Sequence, residues 1–334
     1  MPHSSYEEQT QRYSTFGNKL LQHLDVLSKI QLNGQWRPIT VQLSVTAACS
    51  SNCVFCSVKY RQKGLSLPLD LIKKGLKDFR DLGAKSVEIT GGGEPLLYQN
   101  IKELIDYSYK LGFDIGIISN TNDIRKFISK AQAKKLTWYR VSLHKLDEGL
   151  KPSDYKFEVI PKGKLGFSYI INKKTTRGTI KQIVELIRKR PDVKFVRIAG
   201  DCLDKNNLLT IKDKWVPIIE EVNELGKFFI KEINGNYLPY PKFCGVGAIR
   251  PYCVENGNIY ICTSHVLKFR RYDQRYIIGH LSDVKGMYRK INEHYCRTGR
   301  PYDIDISKCF HCFYYNNNKL LDTIVTKLPD KNFP

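Results

Sequence analysis

Apolar positions along this chain keep two different periods. Short runs at 41–46, 86–90, 114–119, 138–143, 165–171 and 194–198 are rich in Val, Ile and aromatic residues, as strands are. Between them apolar residues recur every three or four positions, the spacing of one face of a helix. Across 68–82, Leu69, Ile72, Leu76 and Phe79 share such a face and Gly83 ends it; Ile101, Leu104, Ile105 and Ser108 repeat the device before Gly112. Strands alternating with amphipathic helices predict βα units on a parallel sheet over 39–205, an α/β fold. Ahead of it, Leu20, Leu24 and Leu27 recur at helical spacing until Asn33-Gly34, so 1–38 reads as an N-terminal helical segment. The alternation weakens over 206–240, which holds one more helix at 212–225 and a strand-like stretch at 228–233. Six of the ten cysteines then fall between Cys244 and Cys312, predicting a small metal-stapled subdomain over 241–334.

Composition narrows the setting. A chain of 334 residues with 42% apolar content can bury a sizeable core. No run approaches the roughly 18 apolar residues of a membrane span, and 1–18 lacks a signal-peptide pattern. These features predict a cytoplasmic protein with no membrane partner, in which cysteines read as metal thiolates rather than disulfides. The net charge of +21 can steer an anionic partner to the surface, or it is spread over solvated helix faces. The stretch 268–276 interleaves cations with aromatics as single-strand nucleic-acid surfaces do, but a charge-protected hairpin edge has the same look.

The loop leaving the first strand carries Cys49, Cys53, Phe55 and Cys56, on what would be the carboxyl edge of the sheet, where ligands bind. Three thiolates at this spacing can reach three irons of a cubane 4Fe-4S cluster, leaving the fourth iron open. The competing reading is a zinc knuckle, which wants a fourth ligand, and no Cys or His lies between Cys56 and Lys85. Cys-x3-Cys-x-aromatic-Cys after a first strand resembles the radical S-adenosylmethionine (SAM) superfamily, with Phe55 at its aromatic position. The resemblance implies a partial (β/α)6 TIM-like barrel and a catalytic 4Fe-4S cluster whose unliganded iron chelates SAM. An electron from the cluster then splits the sulfonium to give a 5'-deoxyadenosyl radical that abstracts a hydrogen atom from an unactivated C–H bond.

After the second strand comes Thr90-Gly91-Gly92-Gly93-Glu94-Pro95. Glycines there let backbone approach a ligand closely, with positive φ at little cost. The segment resembles the family's stretch that hydrogen-bonds the methionine ammonium, which implies Gly91, Gly92, Gly93 and Glu94 as cofactor-binding residues. Ser119-Asn120 resembles the family's turn after the third strand, and Ser142 the serine that contacts ribose or carboxylate. The chain departs from the family at Thr121, where glycine is usual, and at His144, where an acid is common. His144 could equally be a satisfied polar residue at a strand end.

Cys244, Gly257, Cys262 and the closing Cys309-Phe-His-Cys312 resemble the auxiliary-cluster extension called SPASM, or its half-sized form, Twitch. The resemblance implies a second 4Fe-4S cluster on Cys244, Cys262, Cys309 and Cys312, with Cys253 as a rival ligand. A zinc site on the same four thiolates stays open. Cys202 and Cys296 fit neither set; each is a buried hydrophobe or a hydrogen-atom donor to a substrate radical, Cys202 above all.

The sequence thus reads as a radical SAM enzyme served by a flavodoxin- or ferredoxin-like one-electron reductant. Relatives with auxiliary clusters imply a peptide or protein substrate, although too little chain precedes the first strand for a separate leader-binding domain. Modification of a nucleotide or a nucleic-acid base is the alternative favoured by the charge. A non-catalytic, metal-containing nucleic-acid-binding module is a third reading, opposed by the presence of Glu94 and all three loop cysteines.

Overall fold

A computed structural model describes residues 17–201, 204, 214–222, 226–230, 243–266, 271–308, 312 and 314–326. The described residues open on a 3-10 helix, Gly17–Gln22, followed by α1 (Leu24–Asn33), rather than on one continuous helix. His23 separates the two and breaks the expected leucine stripe. Leu20 and Leu27 are buried but Leu24 is 65% exposed, and Val26 and Ile30 complete the inner face. Gly34 closes α1 in the left-handed conformation, with φ of 64°.

There follow β1 (Thr40–Ser44), α2 (Leu69–Asp81), β2 (Ser86–Thr90), α3 (Ile101–Lys110), β3 (Asp114–Ser119), α4 (Lys130–Lys135), β4 (Trp138–Ser142), β5 (Leu165–Ile171), α5 (Arg177–Lys189) and β6 (Val196–Gly200). α6 (Val216–Val222) and β7 (Phe228–Ile230) continue the pattern. Each of β1 to β6 pairs in parallel with the next. Beyond them lie α7 (Val246–Ile249), β8 (Tyr252–Cys253), β9 (Asn258–Tyr260), β10 (Ile277–His280), α8 (Val284–Thr298) and α9 (Tyr315–Val325). Among the described residues the cysteine-rich segment builds no sheet of its own. β8 joins β1 in parallel and β9 and β10 follow antiparallel, giving one open ten-stranded sheet in the order β10-β9-β8-β1-β2-β3-β4-β5-β6-β7.

The two sheet faces differ. Val41, Leu43, Val87, Ile89, Ile115, Ile117, Tyr139, Val141, Phe167 and Ile198 are at most 1% exposed and belong to the core beneath the helices. From α2, Ile72, Leu76 and Phe79 bury themselves there, each contributing about 1.5–3 kcal/mol by leaving water. The alternate positions, Gln42, Ser44, Glu88, Thr90, Arg140 and Ser142, turn to the opposite, inner face. The 45–67 loop closes at its base like a hairpin, with Ala47 N donating to Leu65 O at 2.8 Å and Leu67 N to Val45 O at 3.0 Å. Its cysteines are thereby held over the carboxyl edge.

Candidate active site

Cys49, Cys53 and Cys56 are all half-buried on this loop, in a tight turn where Cys56 N donates to Cys53 O at 3.1 Å. Burial, with the neighbouring Cys56, Glu148 and Cys49, pushes the Cys53 thiol up to about 12. A thiol held up in this way ionises beside its neighbours only when a cation sits among them. Two donors already face the sulfurs: Arg61 Nη1 lies 3.4 Å from Cys56 Sγ and Asn120 Nδ2 lies 3.3 Å from Cys49 Sγ. Arg61 is fixed in turn by bonds to Ala47 O and Val58 O.

The glycine segment is bonded onto the cysteine loop. Gly93 N donates to Thr46 O at 2.9 Å and Glu94 N to Ala48 O at 2.7 Å. A Cβ on Gly93 would lie 2.1 Å from Ala48 O and 2.7 Å from Thr46 O. The need for glycine is therefore not the positive φ expected above, since Gly91, Gly92 and Gly93 all lie outside that region. What approaches Gly93 closely is the backbone of the cysteine loop.

Glu94 is 2% exposed, and its carboxylate accepts bonds from Ser119 Oγ (2.7 Å), Asn120 N (2.5 Å) and Leu96 N (3.0 Å). Burial nevertheless pushes its carboxyl above the usual range, against the pull of those donors and of Lys145. It ties the end of β2 to the end of β3 and sets Asn120 against Cys49. The Oδ1 of Asn120 is buried with no hydrogen-bond partner, an acceptor free for a bound group.

Ser142 and His144 complete this edge. Ser142 Oγ lies 3.1 Å from His144 Nδ1, and His144 Nε2 lies 3.4 Å from Ser51 Oγ in the cysteine loop. Phe55 meets the His144 ring edge-on, with centroids 5.8 Å apart. Burial, helped by Lys145, pulls the imidazole down to about 4. Cys53, His144 and Glu148 present ligand atoms within 4.8 Å of one another. The sheet thus brings to Cys53 the histidine that the sequence around the loop lacks.

A family model for the radical SAM superfamily matches residues 43–201, which hold the cysteine loop, the glycine segment and β1 to β6. Residues 43–201 therefore carry a radical SAM superfamily domain. Among curated proteins it is similar to a probable GTP 3',8-cyclase of Pyrobaculum aerophilum, with 31% identity over 121 residues, covering 34% of this chain and 39% of that protein. It is also similar to the PqqA peptide cyclase of Bradyrhizobium diazoefficiens, with 28% identity over 116 residues, covering 34% of this chain and 30% of that one. The chain therefore matches less than half the length of these relatives. Its fold is shared with Streptococcus suis SuiB bound to the precursor peptide SuiA (TM-score 0.54, 17% identity, 75% of this chain and 65% of that one).

The residues present fit the groups this family uses, a 4Fe-4S cluster and SAM. Three adjacent sulfurs with their own donors suit a cationic cluster, and a glycine cradle with an unpartnered buried acceptor lies beside them. The sequence missed two contributors, Ser44 and Glu255. Gly92 N donates to Ser44 Oγ at 2.6 Å, and Ser44 Oγ donates to Glu255 Oε1 at 2.6 Å. Glu255 is 5% exposed, and burial raises its carboxyl. It arrives from the turn after β8, some 160 residues along the chain, so no local motif could have signalled it.

The C-terminal cysteines converge in part. The Tyr302 phenol, pushed well up by burial, also feels Cys244 and Cys262. Burial lifts the Cys262 thiol to about 11, against a bond to Ser264 and with Cys312 adding to the rise. Asn318 on α9 accepts from Gly245 N and Val246 N, beside Cys244, and its Nδ2 lies 3.6 Å from Cys312 Sγ. Cys253 stands apart. It is a fully buried core residue of β8 opposite Leu43, and burial alone raises its thiol. Cys296 is exposed on α8, near Gly34, a surface position that does not suit a hydrogen-atom donor. Cys202 and Cys309 lie outside the described residues.

Proposed function

We propose that this chain cleaves SAM reductively and removes a hydrogen atom from a peptide or protein substrate. The observation that carries the chemistry is the glycine segment bonded directly onto the three-cysteine loop. With an electron from a flavodoxin- or ferredoxin-like reductant, the bound cluster and SAM supply methionine and a 5'-deoxyadenosyl radical that takes a hydrogen atom from carbon.

The chain's own residues hold and orient. Cys49, Cys53 and Cys56 ligate the cluster, while Arg61 and Asn120 donate to its sulfurs. The backbone of Gly91, Gly92 and Gly93 receives the methionine ammonium, with Glu94 fixing its shape through Ser119 and Asn120. Phe55 and Ser142 line the cofactor, and the neutral His144 beside them adds no charge. Cys244, Cys262 and Cys312, together with Cys309, hold a second 4Fe-4S cluster. Among the described residues no helix is long and apolar enough to cross a membrane, and clusters of unpaired thiols suit a reducing cytoplasm.

The second thiolate set and the similarity to a peptide cyclase favour a peptide substrate. A nucleotide substrate is the second reading, favoured by the net charge of +21 and the similarity to GTP 3',8-cyclases. Anaerobic reconstitution tests the chemistry. About eight irons per chain are expected, with 5'-deoxyadenosine formed on adding dithionite and SAM. Replacing Cys253 by alanine should leave the iron content intact, whereas Cys262→Ala or Cys312→Ala should lose about half of it. Zinc in place of iron, or no deoxyadenosine from fully loaded protein, overturns the reading.

A further inference from the structure

The inner face of the sheet carries charge that the reading above leaves unused. Gln42 is in register with Glu88, and Ile118 with Arg140. Arg197 is in register with Ser168 on the same face. Arg250 reaches in from the end of α7, its Nη2 lying 3.0 Å from Glu88 Oε2, while Gln42 Nε2 donates to Glu88 Oε1 at 2.7 Å. Both oxygens of Glu88 are therefore engaged. Burial pushes the Glu88 carboxyl up, yet Arg250, Arg140, Arg197 and the Gln42 bond together hold it below the usual range. One carboxylate is shared among three guanidinium groups.

Arg140 has the weakest claim on it. Its Nε is buried with no hydrogen-bond partner. Burial and the like charge of Arg250 pull its pKa down, and among the described residues Glu88 is the acid that opposes them. The guanidinium is otherwise accompanied by the Trp138 ring, 5.9 Å away. A half-buried guanidinium whose buried Nε has no partner costs stability unless an anion reaches it, and a planar guanidinium matches a carboxylate or phosphate edge. Arg140 also stands two residues before Ser142 on the same face of β4. That places it one step, about 7 Å, inward from the cofactor edge.

We propose that Arg140 anchors an anionic group of the substrate, a carboxylate or a phosphate, inside the barrel beneath the cofactor edge. The proposal rests on the radical SAM reading for what happens to that substrate. A group held there leaves the rest of the molecule to extend toward the cysteine loop.

Calorimetric titration of the anaerobically reconstituted holoenzyme, saturated with S-adenosylhomocysteine, tests this with inorganic pyrophosphate and, separately, glutarate as probes. Saturable binding of pyrophosphate alone identifies a phosphate group; that of glutarate alone identifies a carboxylate. Arg140→Gln should weaken the bound probe about tenfold or more, the loss of one charge-assisted contact. Arg140→Lys, which keeps the charge but not the planar fork, should weaken it less. Lys77→Gln, removing an exposed cation, should change it less than about twofold. Where Arg140→Gln does not fold, Arg140→Lys carries the comparison. No saturable binding of either probe, equal weakening by Lys77→Gln, or no change in the Arg140 variants overturns the proposal. So does a parallel loss of S-adenosylhomocysteine affinity, which would make Arg140 a cofactor contact. Absence of 5'-deoxyadenosine would instead count against the radical chemistry and leave the anion site standing.

Discussion

Gly93→Ala is expected to leave a protein that assembles its loop cluster poorly and binds SAM at least about tenfold more weakly, about 1.4 kcal/mol. The new methyl would sit 2.1 Å from Ala48 O and 2.7 Å from both the Ala47 carbonyl carbon and Thr46 O. All three atoms are backbone, so no side-chain rotation relieves the contact. The loop must retreat, and it carries Cys49 with it. Both bonds that dock the segments, Gly93 N to Thr46 O and Glu94 N to Ala48 O, lengthen together. Overpacking of this kind costs about 1–3 kcal/mol in stability, and here part of it appears as displaced cluster ligands. Iron content, cofactor affinity by equilibrium dialysis and thermal melting read the three effects. Gly178→Ala is a fitting control. That glycine lies in the first turn of α5 with only the Thr176 hydroxyl nearby, at 3.3 Å from an added Cβ. It should be close to neutral. Full iron content with unchanged cofactor affinity in Gly93→Ala would show that the close approach is not what the glycine is for.

The same contact marks how far the sequence carries. The βα alternation is legible because the strands are short apolar runs rich in Val, Ile and aromatic residues, and because helix faces such as Ile101, Leu104, Ile105 and Ser108 bury as their spacing predicts. The cysteine and glycine motifs are local strings and are equally visible. The reason for the glycines is not, because it lies in the fit of one loop against another 45 residues away. Nor could the break at His23 be seen, since a leucine spacing alone does not distinguish one helix from a 3-10 turn followed by another. Contacts that join distant segments were invisible altogether. Ser44 looks like any strand serine until Glu255 and Gly92 meet at its hydroxyl. The C-terminal cysteines advertised themselves by spacing, but only the fold separates Cys253, paired with β1, from the three that gather near Tyr302 and Asn318.

Glu94→Ala is expected to be the most destabilising single change at the site, because Glu94 is spent on the protein itself. Its removal strands three buried or half-buried donors: Ser119 Oγ, Asn120 N and Leu96 N. An unsatisfied buried donor costs about 1–3 kcal/mol, so even with partial relaxation the loss should be on the order of 3 kcal/mol or more. That is a large share of a stability that is typically about 5–15 kcal/mol. Glu94→Gln should fall between, since one amide oxygen can still accept from Ser119 and Leu96 while its NH2 opposes Asn120 N. The pH dependence has a definite sign. Burial raises the folded-state pKa of Glu94 above its ordinary 4.5. Its contribution is then fully present below pH 4.5 and is lost as pH rises through the folded value. Glu94→Gln cannot ionise and should lack that slope, so the stability gap between the two proteins should narrow as pH rises. Urea titrations of the wild type and both variants across this range measure the gap and the slope together. A Glu94→Ala protein as stable as wild type would mean that β2 and β3 do not depend on this carboxylate to meet at the cysteine loop.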